Sequence, residues 1–233
     1  MSHLCIAACI IDLDGTLIDT LDDFEAALAD MLAALGRPPV ARTQIARLIG
    51  KGSEHLIRSV LALTQPGSPS DAEWQHARAL YERAYRRING RHSAVYPGAE
   101  QGLRALRAQG LPLACLTNKP LAFARPLLAA KGLDGFFAHT FGGDSFTRKK
   151  PDPLPLLQTC LALNSAPPRT LMIGDSRNDA AAAHAAGCPV ALMRYGYNHG
   201  EPVEHINADG YFDSLADVAA WLPERVNNPR NRS

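Results

Sequence analysis

The chain has 233 residues, of which 46% are hydrophobic, enough to bury a core without staples and long enough for one large domain or two modest ones. Lysine plus arginine number 24 against 23 aspartate plus glutamate. That near-neutral balance offers no basic stripe for nucleic acid and no charge block for a tail partner, while a small anionic ligand needs only a local positive pocket. The opening run, Leu4 to Ile11, is continuously apolar and rich in Ile, as in a strand buried on both faces of a parallel sheet. It lacks a basic n-region and a cleavage site, so it is expected to be a strand and not a signal peptide. No run approaches the roughly 18 apolar residues that span a bilayer. A soluble, cytoplasmic protein without a membrane partner is expected. The five cysteines, Cys5, Cys9, Cys115, Cys160 and Cys188, are odd in number and form no CxxC pair. They are expected to be free core thiols in a reducing compartment.

The apolar run ends in IDLDGTLIDT, where Asp12 and Asp14 stand two apart before a Gly-Thr turn. Ionised carboxylates at the end of a buried strand are costly unless a cation, a proton or good donors compensate them. A metal and a reaction are therefore the first expectation. A long helical stretch follows, with Thr20 and Asp23 spaced as a capping box. Leu21, Phe24, Leu28, Met31 and Leu35 then repeat at three and four, and Gly36 and Pro38 stop the helix. Residues 43 to 64 give two more short helical patterns, interrupted by Gly50-Lys51-Gly52. Pro66 to Ser70 reads as a loop. Asp71 to Ile88 reads as a helix with Trp74, Tyr81, Tyr85 and Ile88 along one face.

From Tyr96-Pro97-Gly98 helix and strand patterns alternate. Helices are expected at Ala99 to Gln109, Pro120 to Lys131, Pro153 to Leu163, Asn178 to Ala186 and Ser214 to Leu222. Strands are expected at Leu111 to Leu116, Phe136 to Phe141, Leu171 to Ile173 and Pro189 to Met193. This order predicts an α/β fold, a Rossmann-like parallel sheet with helices on both faces, interrupted by an inserted all-α helical cap. The expected boundaries are a core of residues 1–18 and 91–226, a cap of 19–90, and a flexible polar tail of 227–233.

In such a sheet ligands bind beyond the carboxyl ends of the strands. The polar groups at those ends are Asp12 and Asp14, then Thr117 and Asn118, then Asp175 with Asp179 a helical turn further on. Lys149 and Lys150 precede Pro151 at the start of a helix. Carboxylate oxygens of this kind suit Mg²⁺, which keeps waters and a substrate phosphate as its remaining ligands. A hydroxyl and an ammonium can then bind other phosphate oxygens.

The pattern DxDGT, then Thr after an apolar strand, then Lys-Pro, then GDSxND resembles the haloacid dehalogenase superfamily of aspartate-nucleophile phosphatases over nearly the whole chain. LPLACLTNKP, GGDSFTRKKPDPLPLL, IGDSRNDAAAAHAAGCP and RYGYNHGEP are most similar to its bacterial phosphoglycolate phosphatase branch. The resemblance implies Asp12 as nucleophile and Asp14 as general acid and base. It implies Mg²⁺ held by Asp12, the backbone carbonyl of Asp14 and Asp175, with Asp179 in support. Thr117, Lys150 and the backbone after Asp12, at Gly15 and Thr16, would bind the transferring phosphoryl group, with Asn118 either structural or touching phosphate. Lys150, directly before the proline, is chosen over Lys149.

The helical insertion would act as a lid, with Lys51 taking the carboxylate of 2-phosphoglycolate, and Gly196 to Gly200 would shape the mouth of the site. His199, His55, His76, His92 and His184 are assigned no catalytic or ligand role. The expected partner is a small phosphate monoester, 2-phosphoglycolate, acted on by a monomer or weak dimer. The alternatives are a phosphatase of another small monoester such as a sugar phosphate, or a phosphomutase of the β-phosphoglucomutase type. Asp14 argues against the dehalogenase and phosphonate-cleaving branches, which lack an acid at that position.

Overall fold

The computed structural model describes residues 6–65, 67 and 69–222. Cys5, Pro66, Ser68, the start of the first apolar run and the polar tail lie outside the described residues. Six strands form one parallel sheet: β1 (Ala8–Ile11), β4 (Leu113–Leu116), β5 (His139–Phe141), β6 (Thr170–Gly174), β7 (Val190–Met193) and β8 (Gly210–Phe212). Their order is β5-β4-β1-β6-β7-β8. The chain winds outward from β1 through β4 to β5, then returns to the other side of β1 and winds outward through β6 to β8. The reversal places a crevice at the carboxyl ends of β1 and β6, the kind of switch point at which α/β sheets bind ligands.

Alternate residues of each strand enter opposite cores. Cys9, Ile11, Leu113, Cys115, Leu171 and Ile173 pack with α5 (Ala99–Ala108), α6 (Leu121–Ala130) and α9 (Leu215–Trp221). Ala8, Ile10, Ala114, Leu116 and Met172 pack on the other face with α7 (Leu154–Ala162) and α8 (Arg177–Ala186). This two-sided burial is why the strands read as continuous apolar runs rather than alternating ones. Cys9, Cys115, Cys160 and Cys188 are free and buried, as expected of core thiols.

Four helices intervene between the first strand and the rest: α1 (Leu21–Ala34), α2 (Arg42–Ala46), α3 (Ser53–Thr64) and α4 (Asp71–Ile88). They have a hydrophobic core of their own, built on Leu28, Met31, Val60, Leu61, Tyr81 and Tyr85. The chain enters this layer through β2 (Ile18–Asp19) and leaves it through β3 (Ala94–Val95), which pair antiparallel. Among the described residues no helix is long and apolar enough to cross a membrane.

Three local expectations are corrected. The Thr20–Asp23 capping box does not form. Thr20 makes no side-chain cap bond and donates its hydroxyl to Asp14 Oδ1 at 2.9 Å. Buried Asp23 instead accepts the backbone N–H groups of Gly90 and His92, each at 2.8 Å, tying α1 to the chain leaving the helical layer. The run at Phe136 begins with a 3₁₀ turn, Asp134–Phe136, so β5 starts only at His139. Finally, β2, β3 and β8 are two or three residues long, too short to show a period, and the sequence pattern gives no sign of them.

Candidate active site

The ends of β1, β4 and β6 deliver their polar residues to one place. Asp12 and Asp14 follow β1, Thr117 to Lys119 follow β4, and Asp175 follows β6, with Asp179 in the first turn of α8. Lys150 arrives from the loop between β5 and α7. All are buried, Asp12 at 7% exposure, Asp14 at 8% and Lys150 at 3%. The neighbouring Lys149 is exposed.

Asp12, Asp175 and Asp179 bring carboxylate oxygens within 4.8 Å of one another. One cation, Lys150, stands among them. Its Nζ donates to Asp179 Oδ1 at 2.7 Å and to the Leu116 carbonyl at 2.8 Å, and lies 2.9 Å from Asp12 Oδ1. Lys150 is thus shared as an ion-pair partner by Asp12 and Asp179. Burial, and after it the Asp179 carboxylate, pushes the Asp12 carboxyl up to about 7 against the pull of Lys150. Burial, then Asp179 and Asp12, pushes Asp175 well above the carboxylate range. Burial pulls Lys150 down, but Asp12 and Asp179 outweigh it and hold the ammonium above its ordinary value. Three buried carboxyl groups share one ammonium. The converging carboxylate oxygens and the raised carboxyls are what a divalent, oxygen-seeking cation would relieve.

The cluster is rigidly framed. Asp175 accepts Thr16 Oγ1 on Oδ1 at 2.8 Å and the Tyr197 N–H on Oδ2 at 2.5 Å. Asp179 Oδ2 accepts Ser176 Oγ at 2.7 Å and the Ser176 and Asp175 N–H groups at 3.2 and 3.3 Å. With its other oxygen on Lys150, Asp179 is an orienting group more than an open ligand. Gly15, at φ +86°, lies so close to Asp175 that a Cβ there would sit 2.3 Å from Oδ2. At Gly196 a Cβ would fall 2.1 Å from Asp175 Cβ. Neither position has room for a side chain.

Asp14 has a different environment from Asp12. Lys119 Nζ donates to both its oxygens, at 2.9 and 3.1 Å, and Thr20 donates to Oδ1. The Lys119 ammonium also lies over the rings of Phe24 and Tyr85, 4.4 and 4.8 Å from their centroids. Asp12, Asp14, Thr117, Asn118 and Lys119 form one wall of a cavity. Phe24, Ile49, Leu56, Tyr81, Tyr85 and Phe123 supply much of the rest.

Asn118 donates through Nδ2 to the carbonyls of Gly50 and Lys150, at 2.9 and 2.8 Å, which joins the helical layer to the strand ends. Lys51 is not brought to the site. Gly50 and Gly52 line the cavity through their backbone, and Lys51 between them is exposed. The Gly196–Gly200 stretch reaches both layers: Tyr197 packs in the helical core, and its hydroxyl receives the N–H groups of Thr20 and Leu21 at 2.9 and 3.1 Å. His199 Nδ1 lies 2.9 Å from the Arg47 carbonyl, a packing contact away from the carboxylates. Sequence reasoning missed Lys119, Thr20 and Tyr197. For Lys119 the available signal was its position, directly after Thr117-Asn118 at a strand end.

A family model of haloacid dehalogenase-like hydrolases matches residues 6–187, and the chain belongs to that family. It is therefore an enzyme of the hydrolase class. The phosphoglycolate phosphatase of Thiobacillus denitrificans is 43% identical over 219 residues, spanning 94% of this chain and 96% of that one. A plasmid-borne phosphoglycolate phosphatase of Cupriavidus necator is 45% identical over 220 residues, 94% of either chain. The crystal structure of a predicted phosphoglycolate phosphatase from Haemophilus somnus superposes with a TM-score of 0.89 at 32% identity, over 93% of this chain and 97% of that one.

Proposed function

We propose that this hydrolase is a Mg²⁺-dependent phosphatase that converts 2-phosphoglycolate to glycolate and phosphate through an aspartyl-phosphate on Asp12. The observation that carries the reading is the inequality of the two carboxylates on one cavity. Asp12 lies in the acidic cluster, sharing Lys150 with Asp179, and Asp14 lies outside it on Lys119. The phosphoglycolate phosphatases similar over almost the whole chain support the choice of substrate.

Asp12, Asp175 and the Asp14 backbone carbonyl would hold Mg²⁺, with Asp179 supporting them. The ion would neutralise charge on the transferring phosphoryl oxygens. An Asp12 oxygen attacks phosphorus, the ester bond breaks, and Asp14 gives its proton to the departing alkoxide of glycolate. Asp14 then takes a proton from water, whose oxygen attacks the aspartyl-phosphate and releases phosphate and the Asp12 carboxylate. Thr117 and Lys150 bind phosphoryl oxygens, and Asn118 holds the Gly50 segment over them. The Gly15 and Thr16 N–H groups, expected from the sequence to join them, instead donate to the Ile18 and Leu13 carbonyls at 3.0 and 3.4 Å, closing the turn after β1. Residues 19–90 act as a cap that excludes water from the intermediate.

A panel of phosphate monoesters with Mg²⁺ tests this. Release of phosphate from 2-phosphoglycolate in clear preference to sugar phosphates is expected, with turnover lost in D12N. Equal rates across the panel would refute the substrate, and retained turnover in D12N would refute the covalent route. Isomerised sugar phosphate without free phosphate would mark a mutase instead.

A further inference from the structure

Resting on the phosphatase reading above, we infer that Lys119 determines specificity by binding the carboxylate of the substrate's leaving group, two bonds from the ester oxygen that Asp14 serves. Lys119 is the one cation among the described residues that line the cavity, and it is 4% exposed. An ammonium has three N–H donors. The two oxygens of one carboxylate, Asp14, occupy its hydrogen bonds at 2.9 and 3.1 Å, so a third donor has no hydrogen-bond partner among the described residues. The faces of Phe24 and Tyr85 shield the ammonium from water without neutralising it. A second anion arriving through the cavity would complete its coordination.

The position suits a short acid. Lys119 touches the carboxylate that would protonate the leaving oxygen, so an anionic group one methylene beyond that oxygen falls within its reach. The rest of the cavity, with Ile49, Leu56 and Phe123 in its lining, is largely apolar and offers a second charged group no other cation. The other cations near the entrance cannot take this role. Arg78 and Arg86 have side chains 55% and 66% exposed and pair with Glu82, and Lys51 and Lys149 are exposed.

The test compares 2-phosphoglycolate with 2-hydroxyethyl phosphate, the isosteric ester that lacks the carboxylate, in wild type, K119M and K119R. Removing one member of a buried charge pair is expected to lower the ratio of the two kcat/KM values on the order of 100-fold in K119M. K119R recovers part of that ratio. Both esters slow in K119M, because Asp14 also loses its partner, but only the carboxylate ester loses the larger factor. A wild type that prefers 2-phosphoglycolate with an unchanged ratio in K119M would overturn the role of Lys119 and leave the phosphatase reading intact. A wild type with no such preference would overturn the substrate instead. A second measurement needs no neutral variant to fold. The ¹⁵N signal of the Lys119 ammonium, assigned by its loss in K119R, moves further on saturation with 3-phosphonopropionate than with 3-hydroxypropylphosphonate. Equal movement would overturn the inference.

Discussion

The acidic cluster ties the stability of the metal-free protein to pH. Asp12 lies at about 7 in the folded chain, against about 3.9 for an aspartate in water. Between those values the folded state holds a proton that the unfolded chain has already released. Stability therefore falls as pH rises through this window, opposite to the behaviour of a salt-bridged carboxylate. A gap of about three pH units corresponds to about 4 kcal/mol for Asp12 alone. Asp175 is raised by the same neighbours, but protonating one carboxyl relieves the other, so the two contributions do not add. A loss of roughly 2–4 kcal/mol between pH 5 and pH 8 is expected, a fall in Tm of about 5–15 °C for a chain of this size. Calorimetry of chelator-treated protein across that range measures it. Mg²⁺ should reverse the trend, because deprotonated carboxylates are the ones that bind the ion. D12N should flatten the slope in metal-free protein by removing the titrating group. A metal-free Tm that is level or rises toward pH 8, or a slope unchanged in D12N, would refute this account of the cluster.

The remaining predictions concern the framework. D23A leaves the Gly90 and His92 N–H groups without acceptors inside the protein and should cost about 2–4 kcal/mol by denaturant unfolding, without altering the carboxylate cluster. A loss below about 0.5 kcal/mol would mean that water replaces the carboxylate at no cost. G15A forces a methyl against Asp175 from a left-handed backbone and should weaken Mg²⁺ binding at least tenfold by calorimetric titration. Unchanged affinity would show that Asp175 does not need its present position to hold the ion.

Much of the architecture is legible in the residue order. Continuous apolar runs such as Leu113–Leu116 and Leu171–Ile173 announce strands buried on both faces. The block from residue 20 to 90 shows helical spacing throughout, and each strand end displays its polar residues. What determines those features is local: the period of the side chains, the turn residues and the exclusion of charge from a buried strand. They suffice to name Asp12, Asp14, Thr117, Lys150, Asp175 and Asp179 as residues that could meet.

The partners of those residues depend on packing between elements far apart in the chain. Thr20 bonds to Asp14 and not to its own helix because the turn after β1 folds the carboxylate back over it. Lys119 gains its place only when α1 and α4 bring Phe24 and Tyr85 over the end of β4. Lys51 has the right charge and an inviting pair of flanking glycines, yet the backbone there turns the Gly50 carbonyl to Asn118 and leaves the lysine exposed. A side chain's type and local spacing are written in the sequence. Which charge it faces in a site without water is decided only when the helical layer closes on the sheet.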